Sequence, residues 1–187
     1  MINRSNRFLR KGFYRIVVTS VTALLMTSWI STTASAYSKA GWWIAPFKSI
    51  SFKWGSNITS PSSLIRNAWE SSVTDWWSAS GFTFYDYSSS VNVLNSWYES
   101  SSTIYGRRNV TCNKFNEVIA FTADINSGNT NITATNVARS TANHEFGHVA
   151  GLNDLTSGTA IMNVNRARGT IYIPQTDDKN GIDNIYN

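Results

Sequence analysis

Both histidines of this 187-residue chain lie in one short segment, whose spacing constrains the local fold more than any other feature. The segment runs from His144 to Asp154 and reads HEFGHVAGLND. Side chains four residues apart project from the same face of an α-helix, so His144 and His148 are predicted to lie side by side on one helix. Glu145 follows the first histidine and points about 100 degrees around that helix. The segment therefore predicts a helix that presents two imidazoles and a neighbouring carboxylate.

This pattern of side chains is typical of a zinc site. Two neutral imidazoles on one helical face suit Zn²⁺. Gly151 can adopt a positive φ, end the helix and turn the chain back towards the ion. The turn would deliver Asp154, whose carboxylate is a normal third zinc ligand and leaves a fourth position open. Glu145 would then lie beside the ion without binding it, where a general base that activates water is needed.

The remaining acidic residues leave one alternative for the third ligand. No histidine lies outside the segment and no Glu follows Glu145, which excludes a downstream Glu ligand. Asp177 and Asp178 stay as alternatives to Asp154. The run from Thr176 to Asp178 also resembles a helix start, with an N-cap and acidic residues in the first turn. Short motifs of this kind also arise by chance on solvated helices.

A family resemblance rests on this segment and on the residues that follow it. The pattern HExxHxxGxx(H/D) resembles the metzincin clan of zinc peptidases, and the chain is most similar to its matrixin-like members. Ala160-Ile161-Met162-Asn163 resembles the clan's methionine turn, with Met162 as the floor of the site; otherwise Met162 is a flexible apolar core residue. Asp154 stands where matrixins carry His, as in snapalysin-type members, which implies a less positive site.

The resemblance implies an activity and a substrate surface. The activity is that of a zinc metalloendopeptidase, in which Glu145 is the general base for hydrolysis of protein or peptide substrates. By the same resemblance, the strand Thr103–Thr111 would pair with an extended substrate, and Gly106 would permit close approach. The segment 163–173 would wall the pocket for the side chain after the scissile bond. The residues that contact the substrate, and its identity, stay open.

The first 36 residues have the order of parts that is typical of a secretory signal peptide. They contain basic but no acidic residues, an apolar run from Ile16 to Ile30 and a small-residue site at Ala34-Ser35-Ala36. We expect cleavage before Tyr37, secretion to the extracellular space and no later membrane contact. An uncleaved anchor is the alternative, although the run of about 15 residues is shorter than the roughly 20 that a membrane span needs.

The charge of the remaining chain argues against binding to nucleic acid. Five of the 16 basic residues lie in residues 1–36, which leaves 11 basic against 11 acidic residues in 37–187. The net charge of +5 therefore belongs to the leader, and no basic patch is expected. No repeat or linker divides residues 37–187, so we expect a single catalytic domain that is a monomer.

Hydrophobic periodicity predicts an α+β domain. Strands are expected at 50–54, 82–87, 103–111 and 117–125, and residues 88–103 are expected to form a surface loop with some local structure. Helices are expected from Ser60-Pro61 to Gly81, over 134–151, and from Thr176 onwards. The resemblance adds a metzincin-like fold with a twisted mixed sheet, an active-site helix and a short C-terminal helix.

Other residues leave further interpretations open. Oxygens of Asp124, Asn126 and Asn129 could bind Ca²⁺, but a turn rich in Asp and Asn has the same composition. The lone Cys112 is a small, partly buried thiol or a thiol that blocks the metal.

Two other classes of function compete with the peptidase. One is a secreted zinc module without catalysis. The other is a metal-free module that binds carbohydrate or cell wall, suggested by Trp42, Trp43, Trp76 and Trp77, although tryptophan on a helix face is more often core.

Overall fold

The computed structural model describes residues 37–44, 48–58, 60 and 63–187. The predicted signal peptide, residues 1–36, and the predicted helix position Pro61 lie outside these residues. The described elements, in chain order, are β1 Ser49–Trp54, a 3-10 helix Ser56–Ile58, α1 Leu64–Ser80, β2 Thr83–Asp86, β3 Val93–Trp97, β4 Gly106–Cys112, β5 Val118–Asn126, α2 Thr135–Val149 and α3 Thr176–Tyr186. The expected α+β class is confirmed.

Five strands form one mixed sheet in the order β2-β1-β3-β5-β4. β1 pairs in parallel with β2 and β3, and β3 pairs in parallel with β5. β4 alone runs antiparallel, against β5, with Gly106 opposite Ile125. β4 is thus an edge strand of this sheet, and it begins three residues later than the expected strand at Thr103.

The expectation of a loop over residues 88–103 is wrong, because β3 lies there at the centre of the sheet. Its sequence Val-Leu-Asn-Ser-Trp alternates in burial, with Leu94 and Ser96 buried. Buried Asn92 supports its start by donating to Ser51 O at 2.7 Å and accepting from Phe121 N at 2.8 Å. Pairing on both sides, rather than hydrophobic content, places this segment in the sheet.

The helix α1 begins at a different cap from the one expected. Ser63, not Ser60, is the N-cap, and its Oγ accepts a hydrogen bond from Arg66 N at 3.1 Å. The predicted stop at Gly81 is confirmed, with φ of 69° and its N–H bonded to Trp77 O. The cap therefore lies three residues further along the chain than the Ser-Pro pair suggested.

Aromatic side chains join α1, α2 and the sheet into one core. Phe146 of α2 stacks on Phe84 of β2 with ring centroids 3.8 Å apart and contacts Trp69 of α1 at 5.0 Å. Trp76 of α1 is fully buried and donates from Nε1 to Asn143 O at 3.1 Å. The histidine-bearing helix is thus held on two sides by large apolar contacts. No helix among the described residues has the length and apolarity needed to cross a membrane.

Candidate metal centre and adjoining cleft

The helix α2 presents both histidines on its buried face, as the spacing predicted. Their exposed fractions are 9% for His144 and 2% for His148, and their rings meet edge to face with centroids 4.7 Å apart. Trp42 braces the end of this helix by donating from Nε1 to His148 O at 2.9 Å. The two imidazoles are therefore held in place before any ligand binds.

A glycine turn after α2 brings the predicted carboxylate to the histidines. Gly151 has a φ of 99°, in the left-handed region that side chains with a Cβ rarely adopt. Beyond it, Asp154 Oδ1 lies 3.2 Å from His144 Nε2 and 3.3 Å from His148 Nε2. Within the described part of the chain, these three side chains form a group whose ligand atoms all lie within 4.8 Å of one another. The structure thus brings together the three predicted ligands as a group that could hold a metal ion.

The hydrogen bonds of the two rings show which nitrogen faces the group. His144 Nδ1 lies 2.9 Å from Ile161 O, and His148 Nδ1 lies 3.0 Å from Leu152 O. With the proton on Nδ1, each ring donates to its carbonyl oxygen and leaves Nε2 unprotonated, which is the form that binds a metal ion. His144 Nδ1 also lies 3.2 Å from Arg166 Nη1, which is a donor. With the proton on Nε2 instead, each ring donates to Asp154 while no metal is bound. In the first form three electron pairs converge on one point, so the donor set fits a metal ion.

The surroundings keep two of these residues in the protonation states that metal binding requires. Loss of hydration, together with the charge of Arg166 and against the hydrogen bond to Asp154, lowers the pKa of His144 to about 4. Hydrogen bonds from both histidines, which outweigh the loss of hydration, hold the pKa of Asp154 well below its usual range in the metal-free protein. At neutral pH, His144 is therefore neutral and Asp154 is ionised, and both have a free electron pair to offer.

Met162 lies beneath the histidine pair, where the resemblance implied the floor of a site. It is 1% exposed. A Cβ placed on Gly147, the residue before His148, would come within 2.3 Å of Met162 Sδ. Only the absence of a side chain at Gly147 lets the methionine reach the helix between its two histidines. Whether this segment acts as a methionine turn stays a prediction.

Asp178 has a structural role that explains it without a metal. Its Oδ2 accepts from Ile161 N at 2.7 Å and from Gln175 N at 2.8 Å, and its Oδ1 accepts from Met162 N at 3.2 Å. Asp178 is buried at the third position of α3, where Gln175 is the N-cap; the expected cap at Thr176 is wrong. This carboxylate therefore fastens the C-terminal helix to the segment beneath the histidines.

Glu145 lies on the side of α2 that faces β4. It is 5% exposed, and loss of hydration raises its pKa to about 7, against the lowering effect of nearby cations. A Cβ on Gly106, the first residue of β4, would come within 2.6 Å of Glu145 Oε1. Gly106 thus makes room for the carboxylate as well as for any chain that approaches the strand.

A cleft of about 370 Å³ opens beside Glu145 and His144. Its wall comprises residues from the segment before β4, from α2 and from the segment after Met162: Thr103, Ile104, Tyr105, Gly106, Thr141, His144, Glu145, Val164, Arg166 and Arg168. The two arginines were not singled out by the sequence. The sequence feature that could have identified them is a pair of basic residues, without an acidic neighbour, in the segment 163–173 that was expected to wall a pocket.

The oxygens considered for calcium are engaged in the fold. Asp124 Oδ2 accepts from Arg107 Nε at 3.2 Å. Asn126 Oδ1 accepts from Glu99 N and from Gly128 N, both at 3.0 Å. These bonds account for the polar residues of the turn without an ion, so we do not propose calcium there.

The remaining residues singled out by the sequence are dispersed. Trp76 belongs to the core, whereas Trp43 and Trp77 are exposed and Trp42 is partly buried. Cys112 is half-buried in β4, is not part of the group with Asp154, and burial raises the pKa of its thiol. The four tryptophans thus do not form one surface.

Comparison with known proteins adds little to this geometry. No protein-family model matches the chain, and no curated protein matches it. Among solved structures, it is similar to a chain of the "GM1 bound form of the ECX AB5 holotoxin", at 12% identity and a TM-score of 0.49, covering 72% of this chain and 78% of that one. A likeness at this level supports no inference about function.

Proposed function

We propose that this chain is a zinc-dependent endopeptidase with a metzincin-like fold. The observation that carries the proposal is the convergence of His144 Nε2, His148 Nε2 and Asp154 Oδ1, with a buried carboxylate next along the helix. Two imidazoles and one carboxylate are a ligand set that suits Zn²⁺ and leaves a position for substrate or water. The arrangement of three ligands, a base and an open cleft favours catalysis over a closed structural site.

The metal, when bound by these three residues, would supply Lewis acidity towards a peptide carbonyl and the attacking water. Glu145 is not a ligand in this scheme. Burial raises its pKa to about 7 in the metal-free protein, and a bound cation would lower it, so the carboxylate would be ionised and able to accept a proton at neutral pH. It takes the proton of the attacking water and then returns it to the leaving amine.

The edge strand β4 is where we propose that the substrate binds. Its outer edge has no strand partner in the described sheet, and Gly106 at its start lies against Glu145. An extended peptide that pairs with this edge would place its carbonyl groups beside the carboxylate. This arrangement supports cleavage within a chain, since an extended substrate can continue in both directions along the strand.

The competing classes of function fit the site less well. A structural zinc site has no use for a buried carboxylate beside its ligands and would close the fourth position. A carbohydrate surface built on four tryptophans is not supported, because Trp76 is buried in the core. Secretion to the extracellular space remains part of the proposal and rests on residues 1–36 alone.

The test is cleavage of a mixed protein substrate by residues 37–187, with and without a chelator and with Zn²⁺ restored. Glu145→Gln should retain zinc and lose about 100-fold or more of the cleavage rate, because the amide cannot accept the proton. Glu70→Gln, an exposed change on α1, is the matched control and should cleave as wild type does. A zinc-loaded Glu145→Gln protein that cleaves at the wild-type rate would overturn the proposal.

A further inference from the structure

The cleft beside Glu145 carries more positive than negative charge. Two of its lining residues are arginines, Arg166 and Arg168, and Glu145 is its one carboxylate. Even with Glu145 ionised, two guanidinium groups share one carboxylate in this wall. The charge of the wall is therefore unbalanced before a substrate enters.

Arg166 is a buried cation without an ion-pair partner among the residues that the structure describes. It is 5% exposed. Its guanidinium donates to Ser140 Oγ at 2.8 Å, Ser140 O at 2.9 Å and Asn163 O at 3.1 Å, and its Nη1 lies 3.2 Å from His144 Nδ1. Carboxylates act on its charge only from beyond ion-pair distance. Neutral partners thus orient the group with no carboxylate in contact, which is costly for a buried ion.

Arg168 is held mainly by stacking rather than by hydrogen bonds. Its guanidinium carbon lies 4.0 Å from the centre of the Tyr105 ring. Its Nη2 makes one long contact of 3.4 Å to Val164 O, and its buried Nε has no hydrogen-bond partner. Like Arg166, it takes part in none of the ion pairs found in the described part of the chain. The side chain is thus positioned over the ring with donors left to use.

We propose that this cleft binds a carboxylate of the substrate, so that the enzyme prefers an acidic side chain beside the scissile bond. The inference rests on the proposed peptidase function and deepens it. The guanidinium of Arg168 matches a carboxylate in charge and in hydrogen-bond geometry. Arg166, whose nitrogens are bonded within the protein, adds a second positive charge to the wall. The carboxylate belongs to an Asp or Glu side chain or to the C-terminus of a short peptide, and these two sources present the same group.

The experiment uses a peptide that the wild-type enzyme cleaves once. Each position within two residues of the cleaved bond is replaced by Glu and, in a matched peptide, by Gln. A second pair differs only in a free or an amidated C-terminus, which separates the two sources of the carboxylate. We expect kcat/KM to be about tenfold higher for Glu than for Gln at one position, or for the free C-terminus.

Variants of Arg168 connect that preference to the cleft. Arg168→Gln should reduce the Glu-to-Gln ratio of kcat/KM to near one. Arg168→Glu should lower this ratio below one and favour a third peptide that carries Lys at the same position. A merely structural role of Arg168 would not produce this reversal. Arg66→Gln is the matched control, because Arg66 also stacks on an aromatic ring, that of Trp54 at 3.6 Å, but lies outside the cleft. Its ratio should equal that of the wild type.

Two results would overturn the inference, and they differ from a failure of the proposed function. If peptides are cleaved and the ratio is near one everywhere, or if Arg168→Glu keeps the acidic preference, the cleft does not select a carboxylate and the peptidase still stands. If no peptide is cleaved, the affinities of labelled Glu and Gln peptides for the zinc-loaded protein are measured by fluorescence anisotropy. A higher affinity of the Glu peptide would support the inference. Equal affinities there would also contradict the inference.

Discussion

The candidate metal-binding group and the adjoining cleft share His144 but are built in opposite ways. The group comes from eleven consecutive residues, His144 to Asp154, and its polar atoms have partners: each Nδ1 bonds a backbone carbonyl. The cleft is assembled from three distant segments, and its Arg166 and Arg168 form no ion pair with any residue that the structure describes. In the proposed peptidase, the pre-organised local unit would carry the chemistry, and the two arginines would carry the selectivity for substrate.

The strongest test of the local unit removes its third ligand. Asp154→Ala leaves two imidazoles and should weaken zinc binding by more than about 100-fold. Loss of a residue that only hydrogen-bonds to a ligand already lowers metal affinity by about 10- to 100-fold. Competition with a coloured chelator measures the affinity. Asp177→Ala is the control, because Asp177 lies at the start of α3, outside the metal-binding group. Unchanged affinity of Asp154→Ala would show that another residue completes the site.

A smaller effect is expected at Asp178, which is distant in sequence from the histidines and supports the segment beneath them. In Asp178→Asn, an NH₂ group replaces one acceptor oxygen and would face a backbone N–H, at Met162 or at Ile161. Leaving that buried donor unpaired should cost about 1–3 kcal/mol of unfolding free energy, measured in urea. Asp177→Asn should change the stability little. Wild-type stability of Asp178→Asn would mean that the C-terminal helix is not fastened through this carboxylate.

The packing beneath the histidines can be tested at Gly147. Gly147→Ala gains about 1 kcal/mol in helix propensity but places a Cβ 2.3 Å from Met162 Sδ, and overpacking costs about 1–3 kcal/mol. We expect a net loss of about 1 kcal/mol in urea unfolding and weaker zinc binding. At Gly169 an added Cβ meets nothing within 4 Å, so Gly169→Ala is the control. A fully stable Gly147→Ala protein would argue against contact with Met162.

The smallest expected effect is the release of protons from Glu145 when a metal ion binds. Glu145 lines the cleft and is adjacent to His144 in the chain. Without metal, the pKa of Glu145 is about 7, so about half of the molecules carry its proton at pH 7. A cation beside it lowers that pKa, so metal binding should release about half a proton from Glu145 at pH 7 and almost none at pH 8.5. Calorimetry in two buffers of different ionisation enthalpy measures the release.

Glu145→Gln removes this contribution and leaves any release from other groups in place. The difference in proton release between the wild type and Glu145→Gln therefore measures the protons that Glu145 itself releases. Equal release from both at pH 7 would contradict the protonation state assigned to Glu145, although it would leave the ligand assignment intact.

The expectations that the structure confirms concern local patterns. The helix carrying the histidines, the positive φ of Gly151 and the approach of Asp154 were predicted because each follows from spacing over a few residues. The cap of α1 was misplaced by three residues, from Ser60 to Ser63, because several serines compete for that role within one turn of chain.

The expectations that failed depend on contacts between distant segments. The Asn and Ser side chains within β3 made its sequence resemble a loop, and only pairing with β1 and β5 places it in the sheet. The helix-start interpretation of Asp178 is confirmed by its place in the capping box of α3, but its further contacts were not predicted. Its bonds to Ile161 and Met162 cross 17 and 16 residues of chain, which no periodic pattern encodes.

What the sequence by itself determined is the local unit: two imidazoles on one helical face, a carboxylate beside them and a glycine turn to a second carboxylate. Helix geometry links these residues without help from the rest of the chain. Only the tertiary structure decided that β4 lies at the edge, that Gly106 and Gly147 make room for Glu145 and Met162, and that two arginines meet in one cleft. Those relations arise from packing between elements, where steric fit and charge act across space rather than along the chain.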